Sequence, residues 1–237
     1  MIVYTLIYNI NTISETKIET KTYMSEIQII PEQNFTKTES TIIRVPAVDK
    51  DGNGVMAILS VEAKRGMGRT LVDIDQIIFW GDTQNSIRTA KKVAENLTGV
   101  DVSNYDIIYS IQANASAIEG PSAGAAMGIA TVLELENQSV RNDVSITGTL
   151  NDYGVIGQVS GIVEKASAAK DQGMSLFLVP KDQKMYTTYV QEKKCEKYIF
   201  TTICRTETIP KTVDVEDEVG ISVIEVRNIQ EALKYFV

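Results

Sequence analysis

Two periods of apolar positions alternate along the chain. Thr41 to Val48 and Val55 to Ala63 carry short, strand-like apolar runs. Between them Asp49-Lys50-Asp51-Gly52-Asn53-Gly54 consists of residues that tolerate left-handed backbone, so the two runs are predicted to form a hairpin. Thr70 to Trp80 predicts a third strand. The period then changes. Ile87, Ala90, Val93, Ala94 and Leu97 fall on one helical face, with Asp82 or Thr83 as the N-cap and Gly99 as the C-cap. Tyr105 to Ile111 reads as a buried strand and Ala125 to Glu136 as a helix. Then follow a strand at Val144 to Thr147, an extended Val155-Ile156, a helix over 160–171 and a strand at Ser175 to Val179. A strand at Ile221 to Val226 and a helix capped by Asn228 close the chain. This alternation from Thr70 onward predicts an α/β fold.

Two stretches do not follow the pattern. Residues 1–40 are expected to be a mostly extended N-terminal extension, with a strand at Glu26 to Ile30. Met1 to Ile10 is apolar but too short to span a bilayer, and it lacks the basic flank of a signal. It is either a strand or what remains of an anchor or signal. Residues 181–220 mix charges, tyrosines and short β-forming runs and are expected to be an insertion. Cys195 and Cys204 lie within it. They are either bridged, which would agree with an extracytoplasmic site, or reduced and partly buried. Nothing between them has the composition of a turn, which argues against a simple hairpin.

Composition narrows the chemistry. The 237 residues are 43% hydrophobic and 23% charged, enough for a large core. A net charge of −8 argues against nucleic acid as a partner, because phosphate contacts need clustered Lys and Arg. The chain has no histidine. Ser-His-Asp and Cys-His arrangements and His-ligated zinc are therefore excluded, and two cysteines alone cannot build a tetrahedral thiolate site. Any serine nucleophile must use Lys, Asp, Glu or a terminal amine as its base.

One candidate nucleophile stands out. Glu119-Gly120-Pro121-Ser122-Ala123-Gly124 places a serine in a tight turn that opens a helix. Unpaired N–H groups and the positive helix end suit a developing oxyanion, and equally a phosphate. A second anomaly lies in the helix over 160–171. Gly161, Ile162, Ala168 and Ala169 surround Lys165, whereas Ser160, Glu164, Ser167 and Asp171 form the opposite face. Lys165 on the apolar face either snorkels to water or is desolvated and serves as a neutral base.

Together and in this order, these segments resemble the proteolytic domain of Lon proteases, which use a Ser-Lys dyad. Residues 119–124 resemble the family's nucleophile motif. Val144 to Leu150 resembles its Thr-Gly strand, and Ser160-Gly161-Ile162-Val163-Glu164-Lys165 its lysine-bearing helix. Ser122 and Lys165 are 43 positions apart, as the family has them. The resemblance covers about residues 41–180 and the final strand and helix. It implies mixed sheets with packed helices, with Ser122 as nucleophile and Lys165 as base. Thr147 would orient the lysine amine; Glu119 would either order the substrate strand or cap the turn, with Gly120 in support. The implied reaction is hydrolysis of polypeptides through an acyl-enzyme, with no cofactor and no metal.

The departures are equally specific. No Gly-x-x-x-x-Gly-Lys-(Ser/Thr) occurs, so no ATPase module is expected within these residues. Ser160 stands where the family more often has glycine, and the 181–220 insertion exceeds the usual connection. The chain is closer to stand-alone archaeal Lon-like proteases. That resemblance implies a homo-oligomeric ring, a hexamer, and membrane attachment through a segment absent here. The location is either cytoplasmic or extracytoplasmic. Two rival readings remain at this stage: a silent interaction domain of the same fold, and a small-molecule kinase that holds phosphate at Gly120 to Gly128.

Overall fold

The computed structural model describes residues 40–73, 81–113 and 120–237. The N-terminal extension, the second half of the Thr70 to Trp80 strand and Glu119 lie outside the described residues. The first sheet contains β1 (Thr41–Val48), β2 (Gly54–Arg65), β3 (Thr70–Asp73) and β4 (Tyr105–Ala113) in the order β1-β2-β4-β3. β1, β2 and β4 pair antiparallel, and β3 joins β4 in parallel. The β1–β2 turn is the one predicted. The Asp49 carboxylate accepts the N–H groups of Asp51 and Asn53 at 2.9 and 2.8 Å, and Gly52 takes φ 86°.

α1 (Gly81–Thr98) begins one residue before the predicted caps, so Asp82 and Thr83 lie in its first turn. Its stripe Ile87, Ala90, Val93 and Ala94 is buried and packs on α2 (Gly124–Leu135). Every residue of α2 is buried, as expected of a helix apolar on all sides. Near its C-terminal end the Glu134 carboxylate accepts from the N–H and hydroxyl of Thr41 and from the N–H of Ala63. One side chain therefore ties the central helix to β1 and β2. Glu134→Ala is expected to cost about 2–4 kcal/mol, because buried donors lose their acceptor. Glu134→Gln, which keeps an acceptor, should cost less. Urea unfolding of both variants checks this.

A second sheet, parallel and in the order β11-β8-β5, is made of β5 (Val144–Ile146), β8 (Leu176–Pro180) and β11 (Ser222–Val226). Its side chains alternate, as strand geometry requires. Ile146, Leu178 and Val226 join the core around α2. Phe177, Val179 and Val223 join a second core with Ile162, Ala166 and Ala169 of α3 (Ile162–Asp171). A sheet covered on both faces thus separates the two helices that matter most, and the segments that follow its strands emerge at their carboxyl ends. A short β6–β7 pair (Thr149–Leu150 and Ile156–Gly157) lies just beyond β5.

Residues 181–220 are more regular than their composition suggested. β9 (Met185–Lys197) and β10 (Thr202–Asp214) pair along their full length as a hairpin. Cys195 and Cys204 face each other and are disulfide-bonded, with Cα atoms 4.0 Å apart. The expectation against a hairpin is thereby corrected, since the two strands pair directly across one tight turn. The turn is Tyr198-Ile199-Phe200-Thr201, with none of the usual turn residues. Its register is held by the strands below it rather than by the loop. α4 (Val215–Val219) and α5 (Ile229–Leu233) complete the described elements, and Asn228 caps α5 through Glu231 N–H at 2.9 Å. Among the described residues no helix is long and apolar enough to cross a membrane.

Candidate active site

Ser122 lies in a single 3₁₀ turn, Pro121–Ala123, immediately before α2. Two glycines let this end of the helix approach the β6 segment closely. A Cβ on Gly124 would meet the Leu150 backbone nitrogen at 2.9 Å, and one on Gly128 would meet a Leu150 methyl at 2.8 Å. Gly120 enters the turn at φ 98°, a conformation open to glycine and strained for other residues.

The turn is clasped by the peptide that follows β5. The Gly148 N–H donates to the Ser122 carbonyl at 2.9 Å, and the Ala125 N–H donates to the Gly148 carbonyl at 3.0 Å. Thr147 is fully buried. Its backbone N–H donates to the Leu178 carbonyl of β8 at 3.1 Å. The hydroxyl donates to the Ser122 carbonyl at 3.4 Å, a long and therefore weak bond. The Thr147 hydroxyl thus reaches the serine turn, while the Lys165 ammonium has the Ser160 carbonyl as its partner. Gly148 can be only glycine here. Its φ is 153°, and a Cβ would come within 2.4 Å of an Ile156 methyl.

Lys165 sits one turn into α3 and is 4% exposed. Gly161 opens that helix in the left-handed region at φ 68°, where a Cβ would press on Val48 at 2.7 Å. The helix therefore lies close against the end of β1. The Lys165 ammonium donates to the Ser160 carbonyl at 3.0 Å. Burial disfavours its charge and pulls its pKa down to about 8, against a smaller opposing pull from Glu164. Ile162, Ala168 and Ala169, read from the helical stripe, are buried, as is Ala166, whereas Gly161 is half-buried.

Ser122 and Lys165 line one cleft of about 320 Å³. Gly120 and Pro121 form the wall on the serine side, and Gln158, Val159 and Ser160 the wall on the lysine side. Val48 and Thr149 complete it. Gln183 stands behind the lysine-side wall, donating to the Val159 carbonyl at 2.6 Å and accepting the Val159 N–H at 2.9 Å. Val48, Thr149, Gln158, Val159 and Gln183 were not among the residues singled out from sequence. Of these, Thr149 lies within the Val144 to Leu150 motif and Val159 adjoins the lysine-helix motif; the other three carried no local signal. Among the described residues no cluster of His, Cys, Asp or Glu is arranged to hold a metal ion. The arrangement offers a hydroxyl, an amine of lowered basicity and a helix N-terminus around one small cleft.

Comparison with known proteins agrees with the motifs. An archaeal Lon protease from Thermococcus kodakarensis is 27% identical over 154 residues, 65% of this chain and 24% of that protein. Lon proteases from Methylocella silvestris and Phenylobacterium zucineum are each 36% identical over 52% of this chain and 16% of their own length. The chain thus spans a quarter or less of these relatives. The sequence profile of the Lon protease (S16) C-terminal proteolytic domain matches residues 57–216, which include the serine turn, the clasping peptide and the lysine helix. On that match over more than half its length, the chain belongs to the Lon protease (S16) C-terminal proteolytic domain family.

Proposed function

We propose that this domain hydrolyses peptide bonds of unfolded or accessible polypeptides, with Ser122 as nucleophile and Lys165 as general base. The observation that carries the reading is the shared cleft, in which a serine at a helix-opening turn and a buried lysine of lowered pKa line the same small space. The neutral Lys165 amine takes the Ser122 hydroxyl proton as the oxygen attacks the scissile carbonyl. The same proton is then returned to the departing amine, leaving an acyl-enzyme that water hydrolyses with Lys165 again as base. Negative charge on the tetrahedral intermediate falls at the N-terminus of α2, where the Ser122 backbone N–H is the proposed donor. Pro121 has no N–H to offer.

A cleft of about 320 Å³ admits a chain in extended form and not a folded domain. Substrates are accordingly unfolded segments or loose loops, and the hydrolytic step itself needs no nucleotide. The test is cleavage of an unfolded, fluorescently labelled protein in the absence of ATP. Turnover is the expected result. Turnover seen only with added nucleotide would overturn the nucleotide-independent reading, and labelling by a fluorophosphonate at a serine other than Ser122 would overturn the assignment of the nucleophile.

A further inference from the structure

The β9–β10 hairpin ends in a surface that does not belong to the cleft. Beyond Val190 and Ile209 every residue of both strands is exposed. Gln191 to Lys197 therefore forms a ribbon about 24 Å long, at about 3.4 Å per residue, with water on both faces. Two strands alone are marginally stable, and here the Cys195–Cys204 disulfide joins facing positions on the third rung below the turn. Tyr198 and Thr201 exchange backbone hydrogen bonds across the apex, at 2.7 and 3.4 Å. Such a two-residue loop ordinarily carries Asn or Gly. Here the apex residues are Ile199 and Phe200, 91% and 97% exposed. They contribute nothing to the core, and a stapled arm holds them at its most solvated point.

Charge identifies what they meet. The five rungs nearest the apex, residues 193–206, carry Lys193, Lys194, Lys197 and Arg205 against Glu196 alone, a net of +3 in a chain of net −8. Lys194 pairs with Glu207 at 2.8 Å, and Arg205 lies 3.9 Å from Glu196. Both contacts are exposed and so exchange readily for other anions. Glu192 and Glu207 face each other one rung further back. An apolar, aromatic apex inside a cationic collar matches the boundary between anionic headgroups and acyl chains. Lysine stems can lie along the apolar zone while their ammonium groups reach phosphate. A purely apolar pocket on a partner protein would give the collar no role.

We propose that the β9–β10 tip docks this protein on an anionic lipid surface, with Ile199 and Phe200 entering the acyl region and Lys193, Lys194, Lys197 and Arg205 on headgroup phosphates. The proposal is independent of the catalytic reading. It is tested with the full chain, disulfide intact, by sedimentation with vesicles of phosphatidylcholine alone or mixed equally with phosphatidylglycerol. The mixed vesicles should bind at least about tenfold more tightly, and added salt should weaken the binding. I199D/F200D should lose at least about tenfold in binding, and K193E/K194E/K197E should lose the preference for anionic vesicles. F200W should show a blue-shifted emission on the mixed vesicles, a readout that needs no disruptive change. Absence of vesicle binding, binding that ignores lipid charge, or binding unaffected by I199D/F200D would each overturn the proposal. So would dissociation of a vesicle-free oligomer in I199D/F200D, which would assign the tip to a second copy of the chain.

Discussion

Ser122→Ala is expected to lower cleavage of an unfolded substrate by about 10³-fold or more and to abolish fluorophosphonate labelling. Thermal stability should barely change. The Ser122 backbone makes the contacts that hold the turn, through its carbonyl to Gly148 N–H and to the Thr147 hydroxyl. Alanine keeps that carbonyl and loses only the hydroxyl. A rate assay beside a melting curve therefore separates loss of a nucleophile from loss of the fold. Wild-type activity in this variant would remove Ser122 from the chemistry.

Lys165→Met is expected to move activity and stability in opposite directions. Activity should fall about as far as in Ser122→Ala, and the double variant should be little worse, because the two groups act in one proton transfer. Lys165→Arg should not rescue, since guanidinium stays charged. Stability should rise. The unfolded chain keeps the lysine protonated up to its ordinary value near 10.5, the folded chain only to about 8. Below 8 both states are charged and the folded state carries the full cost of burial, about 3 kcal/mol at 1.36 kcal/mol per pH unit. Between 8 and 10.5 the unfolded state binds more protons, so wild-type stability from this group rises with pH. Methionine carries no such cost, though it forfeits the bond to Ser160. Lys165→Met should thus be stabler by about 1–3 kcal/mol at neutral pH, and its advantage should shrink as pH rises through that window. Denaturant unfolding across pH measures this. In the wild type, the acid limb of the rate profile should rise about tenfold per pH unit and level near 8.

How far the chain could be read in advance depended on how local each cause was. The buried stripe of α1 and the apolar surround of Lys165 follow from helical spacing alone, and both were legible. The two readings of Lys165 differed only in where its amine ends, and 4% exposure favours desolvation over snorkelling. Thr147 was found through a motif, but its partner is set by how β5 and the nucleophile turn meet. Val48 and Gln183 had no local signal, because one enters the cleft from β1 and the other acts through the Val159 backbone. The β9–β10 hairpin was misread because its turn has none of the residues that usually mark one. Thirteen paired rungs fix its register, and the apex residues answer to something other than turn geometry.

The clasp on the serine turn also bears on the chain during its synthesis. The bonds that hold Ser122 come from Thr147 and Gly148, and Thr147 in turn rests on Leu178. The amine arrives with Lys165, and the wall behind it with Gln183. A ribosome makes these pieces in the order serine turn, clasp, lysine, support. A nascent chain that has exposed Ser122 alone has neither a held turn nor the amine that the proposed mechanism needs. On the proposed mechanism, hydrolytic competence arrives only once Thr147, Gly148 and Lys165 have joined the serine turn.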